Sequence, residues 1–203
     1  MRPTRPPQLP VALLLDMDGT LTEPLLDFPR IKAELGIGNR PILEALAEMD
    51  DAERQRCHRI LERHEDHAAD HGTLNPGCDA LLRFAAERRI HTAVITRNSR
   101  RSVARTFAKH RLAFDVVLTG EDAPPKPDPA ALDRAMERLG LGDRHRPRTW
   151  MVGDGHHDIE AGIAAGVPTA WISHGQRRDF AAEPTWVFRD LLELLATLKS
   201  LAS

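Results

Sequence analysis

Short apolar runs recur along this chain, each followed by a turn signal and then by a segment with helical spacing, and that alternation limits the possible folds more than any other feature. The runs fall at residues 11–15, 92–96, 115–118, 149–152 and 168–172, with 186–188 as a weaker last member. They are apolar on both alternating faces, as strands buried inside a parallel sheet are. Strand and helix in repeated order predict an α/β fold with a parallel sheet flanked by helices.

The helices between the runs have readable ends. Asn75 before Pro76 predicts a cap and a first-turn proline for a helix reaching about Arg89, and Asp128 before Pro129 does the same for Leu132, Met136 and Leu139, with Gly140 as the stop. Ser99 can cap a helix carrying Val103 and Phe107 on one face. Leu191, Leu194, Leu195 and Leu198 give the last helix its apolar stripe. Between Thr22 and Thr73 no β-like run occurs. Residues 29–35 before Gly36, 41–49, and the charged stretch 51–71 read instead as three helices of a separate insertion.

A chain of 203 residues accommodates one core of about 150 residues plus such an insertion. With 28 Lys and Arg against 30 Asp and Glu, no broad phosphate-binding face for nucleic acid or acidic lipid is expected. Cys57 and Cys78 are too few for a disulfide framework or an all-cysteine zinc site, and both read as reduced packing side chains. The run at 11–15 is far shorter than a signal-peptide core or a membrane span. The expectation is a cytoplasmic protein, monomer or homodimer, with a frayed tail over residues 1–10.

In open parallel sheets, ligands bind beyond the carboxyl ends of the strands, so polar residues directly after apolar runs are the first candidates for chemistry. Four runs end that way. Residues 11–15 lead into Asp16-Met-Asp-Gly-Thr-Leu-Thr22, and 92–96 end in Thr96-Arg-Asn-Ser99. Lys126 lies a few residues beyond 115–118, and 149–152 lead into Gly153-Asp-Gly-His-His-Asp158. In a parallel sheet all four clusters share one rim.

These motifs, DMDGT at 16–20, Thr96, Lys126 within PPKPDP and GDGHHD at 153–158, make the chain resemble the haloacid dehalogenase-like hydrolase superfamily over nearly its whole length. Within it, the phosphoglycolate phosphatase-like branch looks closest. The resemblance implies a Rossmann-like core over residues 9–22 and 74–203, with residues 23–73 as an all-helical cap. It implies a magnesium-dependent phosphatase acting on a small phosphorylated metabolite, in which Asp16 attacks phosphorus and becomes an aspartyl-phosphate. Asp18 would give a proton to the leaving oxygen and later take one from water. Its backbone carbonyl would join Asp16 and Asp154 on Mg²⁺, with Asp158 a further ligand or a support behind the ligands. Thr96, Asn98 and Lys126 would bind the phosphate.

Residue chemistry points the same way. An aspartate attacks a phosphate dianion poorly because like charges repel, and a divalent cation screens both partners. Carboxylate oxygens suit Mg²⁺. By the same resemblance, haloacid dehalogenases lack the second aspartate and ion-pumping ATPases place threonine there, so Asp18 favours phosphatases and phosphomutases. A sugar phosphomutase is the nearest rival, and a regulatory or scaffolding protein that kept the fold and lost turnover is the rival from another class.

Other residues have plainer readings. His64, His67 and His71, with His58 further back, share a helical face that suits solvent near a helix C-terminus better than a metal site. His156 and His157 read as loop residues or as hydrogen-bond partners beside Asp154. Arg97 has no assigned role. Arg30, Lys32 and Arg40 could meet an anionic substrate but read as solvated charges.

Overall fold

The computed structural model describes residue 6 and residues 8–202, so most of the tail expected over residues 1–10 lies outside the described residues. In chain order the elements are β1 (Ala12–Leu15), α1 (Phe28–Leu35), α2 (Ile42–Ala47), α3 (Asp51–His71), α4 (Cys78–Glu87), β2 (His91–Ile95), α5 (Arg100–His110), β3 (Val116–Leu118) and α6 (Ala130–Arg138). A 3-10 helix over Asp143–Arg148 follows, then β4 (Thr149–Gly153), α7 (His156–Ala164), β5 (Thr169–Ile172), β6 (Trp186–Phe188) and α8 (Leu191–Leu201). No helix among the described residues is long and apolar enough to cross a membrane.

The six strands form one parallel sheet in the order β3-β2-β1-β4-β5-β6, so the α/β expectation holds. Each strand is apolar on both faces because each face is covered. Leu13, Leu15, Val94, Trp150 and Val152 pack with Leu81 and Phe84 of α4, Val103 of α5 and the leucines of α8. Leu14, Ala93, Ile95 and Met151 pack on the opposite face with Leu132 and Met136 of α6 and Ala161 of α7. Each fully buried leucine contributes about 2 kcal/mol of transfer free energy, so the two layers fix the strand register firmly.

That register builds the site. Leu15 is level with Val94 on one side and Val152 on the other, which brings Asp16, Thr96 and Asp154 to within about one residue rise of each other at the sheet's carboxyl edge. Connections leave β1 on one side for β2 and β3 and on the other for β4 to β6, so the edge above β1 is the topological switch point where ligands bind.

The first three of the four helices between β1 and β2 have their own apolar cluster of Ile31, Leu35, Ile37, Ile42, Ala45, Leu46 and Cys57. Gly36 closes α1 in the left-handed conformation (φ 72°), as its place in the sequence suggested. Ser99 caps α5 by accepting the Ser102 N–H. Two expectations need correction. Asn75 does not cap a helix at Pro76: α4 begins at Cys78 after a left-handed Gly77, and Asn75 turns its amide to the first motif instead. His156 and His157 are not loop residues but the first two residues of α7.

Candidate active site

Lys126 stands at the centre, 3% exposed. A buried ammonium needs three acceptors and opposite charge, and Lys126 has both: its Nζ donates to Asp16 Oδ1 (2.6 Å), Asp158 Oδ1 (2.6 Å) and the carbonyl of Ile95 (2.7 Å). Burial acts to lower its pKa, but Asp158 and Asp16 outweigh it, so the group is held above its ordinary value and stays charged. A phosphoryl oxygen reaching Lys126 would replace one of these acceptors.

Asp16 follows β1, and its backbone N–H is tied to the Val152 carbonyl (2.9 Å). Burial, and then the neighbouring Asp158, push its carboxyl well above the usual carboxylate range, with Lys126 opposing. Asp154 is raised to about 6 for the same two reasons in the same order. Carboxylate oxygens of Asp16, Asp154 and Asp158 lie within 4.8 Å of one another. Three crowded acids against one lysine leave negative charge to be neutralised, and their hard oxygens fit Mg²⁺. Asp158 differs from the other two. Its Oδ1 accepts from Lys126 and its Oδ2 from the Gly155 N–H (3.0 Å), so it faces the lysine and its own helix start.

Two glycines make this crowding possible. A Cβ on Gly19, whose φ is +79°, would overlap the Asp154 carboxylate, and one on Gly153 would overlap that of Asp158.

Asp18 lies two residues beyond Asp16. Its Oδ2 accepts from the Asn98 side-chain amide, and its Oδ1 is 3.5 Å from Thr22 Oγ1. Burial raises its pKa against the lowering effect of both contacts. Asn98, expected to bind phosphate, is thus engaged with Asp18. Thr96 is buried, and its Oγ1 accepts the Asn98 N–H (3.1 Å), which leaves the hydroxyl proton available to a ligand. All of the expected core residues, Asp16, Asp18, Thr96, Asn98, Lys126, Asp154 and Asp158, meet at one edge.

Several supporting residues escaped the sequence reading. The Asn75 amide donates to the carbonyls of Gly19, Thr20 and Thr22 at 3.1, 2.8 and 2.9 Å, clamping the first motif to the chain's return from the helical insertion. Beyond β5, His174 Nε2 lies 2.6 Å from the Gly19 carbonyl, while Trp171 Nε1 and Arg178 Nη1 donate to the Asp154 carbonyl at 3.0 and 2.9 Å. Residues after β5 occupy the same carboxyl edge as the four motifs, so the strand-end rule extends to them.

The inserted helices reach the site in two places. Glu65 of α3 is 4% exposed and accepts both the hydroxyl and the N–H of Ser99 (3.2 Å for the latter). Burial is the main cause of its rise to about 7. Along the same seam, Asp66 pairs with Arg101 (2.7 Å), Asp70 with Arg105 (2.5 Å), and Lys109 donates to the Asp70 and Gly72 carbonyls at 2.7 and 2.6 Å. On the other side Arg97 Nη2 donates to both carboxylate oxygens of Glu44 in α2 (3.2 and 2.9 Å). Its Nη1 donates to the Lys126 carbonyl (2.9 Å) and lies 3.1 Å from His157 Nδ1. Burial and the Arg97 charge lower His157 to about 4, so the ring is neutral and can accept from the guanidinium.

The remaining histidines and cationic candidates stay away from this chemistry. His67 and His71 stack on each other, and His64 Nε2 lies 3.2 Å from Glu34. Arg30 pairs with Glu34, Arg40 with Glu48, and Lys32 donates to the Asn39 carbonyl, all exposed.

Comparison with known proteins gives the family and the fold. The model of a family described as haloacid dehalogenase-like hydrolase matches residues 29–172. A phosphoglycolate phosphatase of Pseudomonas syringae is 30% identical over 93% of this chain and 79% of its own. A haloacid dehalogenase-like hydrolase domain-containing protein of Arabidopsis thaliana is 28% identical over 81% of this chain and 71% of its own. Among solved structures, a hydrolase from P. syringae superposes with a TM-score of 0.76 at 19% identity, covering 95% of this chain and 99% of that one, a likeness of fold.

Proposed function

The chain belongs to the haloacid dehalogenase-like hydrolase family, and from that premise we propose that it is a magnesium-dependent phosphatase of a small phosphate monoester, with Asp16 as the nucleophile. The observation that carries this reading is the meeting of Asp16, Asp154 and Asp158 around one buried lysine. Asp16 and Asp154 would hold Mg²⁺ with the Asp18 carbonyl, and Asp158 would serve chiefly as the partner that fixes Lys126. Bound there, the cation would screen the nucleophile from the phosphate's charge.

Asp16 is aimed by Lys126 and by its place at the end of β1. Asp18, whose proton is retained to a higher pH by burial, is the donor to the leaving oxygen and afterwards the acceptor from water. The Thr96 hydroxyl and the Lys126 ammonium stabilise charge on the phosphoryl oxygens. Residues 23–73 act as a cap that excludes bulk water while the phosphoenzyme forms. The phosphoglycolate phosphatase among the relatives makes a short carboxylated ester the first substrate to try.

The test is Asp16→Asn assayed with Mg²⁺ on an aryl phosphate, following release of inorganic phosphate. A loss of about 10⁴-fold or more is expected for removal of a nucleophile, and EDTA should silence the wild type. Full activity in the variant would sink the reading.

A further inference from the structure

The site has one cationic side chain for the phosphate, Lys126, and none yet assigned to the rest of the substrate. The cationic side chains first suspected, Arg30, Lys32 and Arg40, are satisfied within the insertion and face solvent. Arg97 is differently placed. It directly follows Thr96, and its guanidinium spans from the Lys126 carbonyl of the phosphate site to Glu44 of the inserted helices.

The head of Arg97 is held from behind. Nη1 is spent on the Lys126 carbonyl and the His157 ring, which fixes the plane of the guanidinium and leaves Nη2 as the side offered outward. A carboxylate already sits on that side: both Glu44 oxygens accept from Nη2, at 2.9 and 3.2 Å. That one nitrogen therefore accommodates a carboxylate without rearrangement of the guanidinium.

Glu44 is also easy to displace. Its side chain is 41% exposed and that of Arg97 20%, and a half-wet ion pair contributes little net stability. Among the described residues, this pair is the one hydrogen-bonded tie from α1 or α2 to the sheet side of the cleft, whereas α3 is tied down by Glu65, Asp66 and Asp70. Exchange of one carboxylate for another conserves the charge around Arg97. A substrate whose phosphate is already anchored would bring its carboxylate at high effective concentration.

Resting on the phosphatase reading above, we propose that Arg97 is the specificity-determining residue of this site: it takes the carboxylate of the leaving group, and Glu44 holds that place until substrate arrives. No other residue of the phosphate site changes role. The two partners then act with opposite sign, since Arg97 attracts the substrate carboxylate and Glu44 competes with it.

The experiment compares phosphoglycolate with 2-hydroxyethyl phosphate, which lacks the carboxylate, in wild type, Arg97→Met and Glu44→Gln, each checked for an unchanged melting profile. Wild type should prefer the carboxylated ester. In Arg97→Met the ratio of kcat/KM between the two esters should fall about 100-fold, the size expected for a lost charged hydrogen bond, mostly through KM. Glu44→Gln should lower KM for the carboxylated ester several-fold and leave the neutral ester's KM where it was. Turnover of both esters without preference, or an equal loss on both in Arg97→Met, overturns the assignment and leaves the phosphatase reading standing. Should Arg97→Met fail to fold, a Glu44→Gln enzyme with an unchanged or raised KM for the carboxylated ester overturns it instead. No turnover of either ester by wild type overturns the assignment, and the aryl phosphate assay then decides separately whether the phosphatase reading falls with it.

Discussion

The sheet edge and the inserted helices use charge in opposite ways. At the edge, Lys126, Asp16 and Asp158 are withdrawn from water and held by backbone register, each with named partners within 2.7 Å. Around the insertion, the pairs Arg101–Asp66, Arg105–Asp70 and Arg97–Glu44 are partly exposed and join side chains from different elements. Buried charge of the first kind is costly to disturb, and a solvated pair of the second kind is not. The lesson is that the sheet edge holds its charges by burial and register, while the insertion is joined to it largely by exchangeable contacts.

The sharpest way to break this contrast is Lys126→Met. It strands Asp16 and Asp158 side by side in the interior, and urea unfolding at pH 8 should show a loss of about 3–5 kcal/mol. A much smaller loss would mean the edge is as wet as the insertion. At pH 5 the loss should shrink, because Asp16 already titrates above the usual range and takes up a proton readily.

Glu65 is the exception that sharpens the comparison, being a buried acid on the insertion side. In the unfolded chain it would titrate near 4.5, and in the folded chain at about 7. Between those values the folded state holds the extra proton, so its contribution makes stability fall as pH rises from 4.5 to 7 and stay level above, by about 3 kcal/mol in total. Glu65→Gln should match wild type at pH 5 and exceed it by roughly that amount at pH 8 in paired urea titrations. A constant offset at both pH values would place Glu65 with the ordinary surface acids.

The smallest effect belongs to the exposed seam. Arg101→Ala should lower Tm by about 2 °C at low salt and less at 0.5 M NaCl, as a screened pair requires. A loss that ignores salt would show that packing, rather than charge, joins α3 to α5.

How much of this was legible beforehand follows the same division. Strand positions, the parallel sheet and the convergence of Asp16, Thr96 and Asp154 could be read because apolar runs fix register, and register fixes what lies one residue beyond it; Lys126, several residues past β3, is picked out by the motif resemblance instead. Glu65 with Ser99 and Glu44 with Arg97 could not, since no periodicity says how an inserted helix docks. Asn75 misled for a local reason. Asn before Pro imitates a helix cap, but three carbonyls of the first motif lie within reach of its amide and take it. His156 and His157 read as loop because the glycines at 153 and 155 suggest a turn, whereas Gly155 is the boundary from which α7 starts.

One asymmetry has a mechanical meaning. Helix α3 is clamped to α5 near its C-terminal end, from Glu65 onward, while Cys57, closer to its start, sits in the cluster with α1 and α2. The stretch from Asp51 to Glu65 is then a lever of about 21 Å at 1.5 Å per residue, and a tilt of about 10° at the clamp swings its free end by about 4 Å. That arc is longer than the 2.9 Å contact between Arg97 and Glu44. Were the helix to pivot at that clamp, such a tilt would part Arg97 from Glu44 while moving the ion pairs nearest the pivot least.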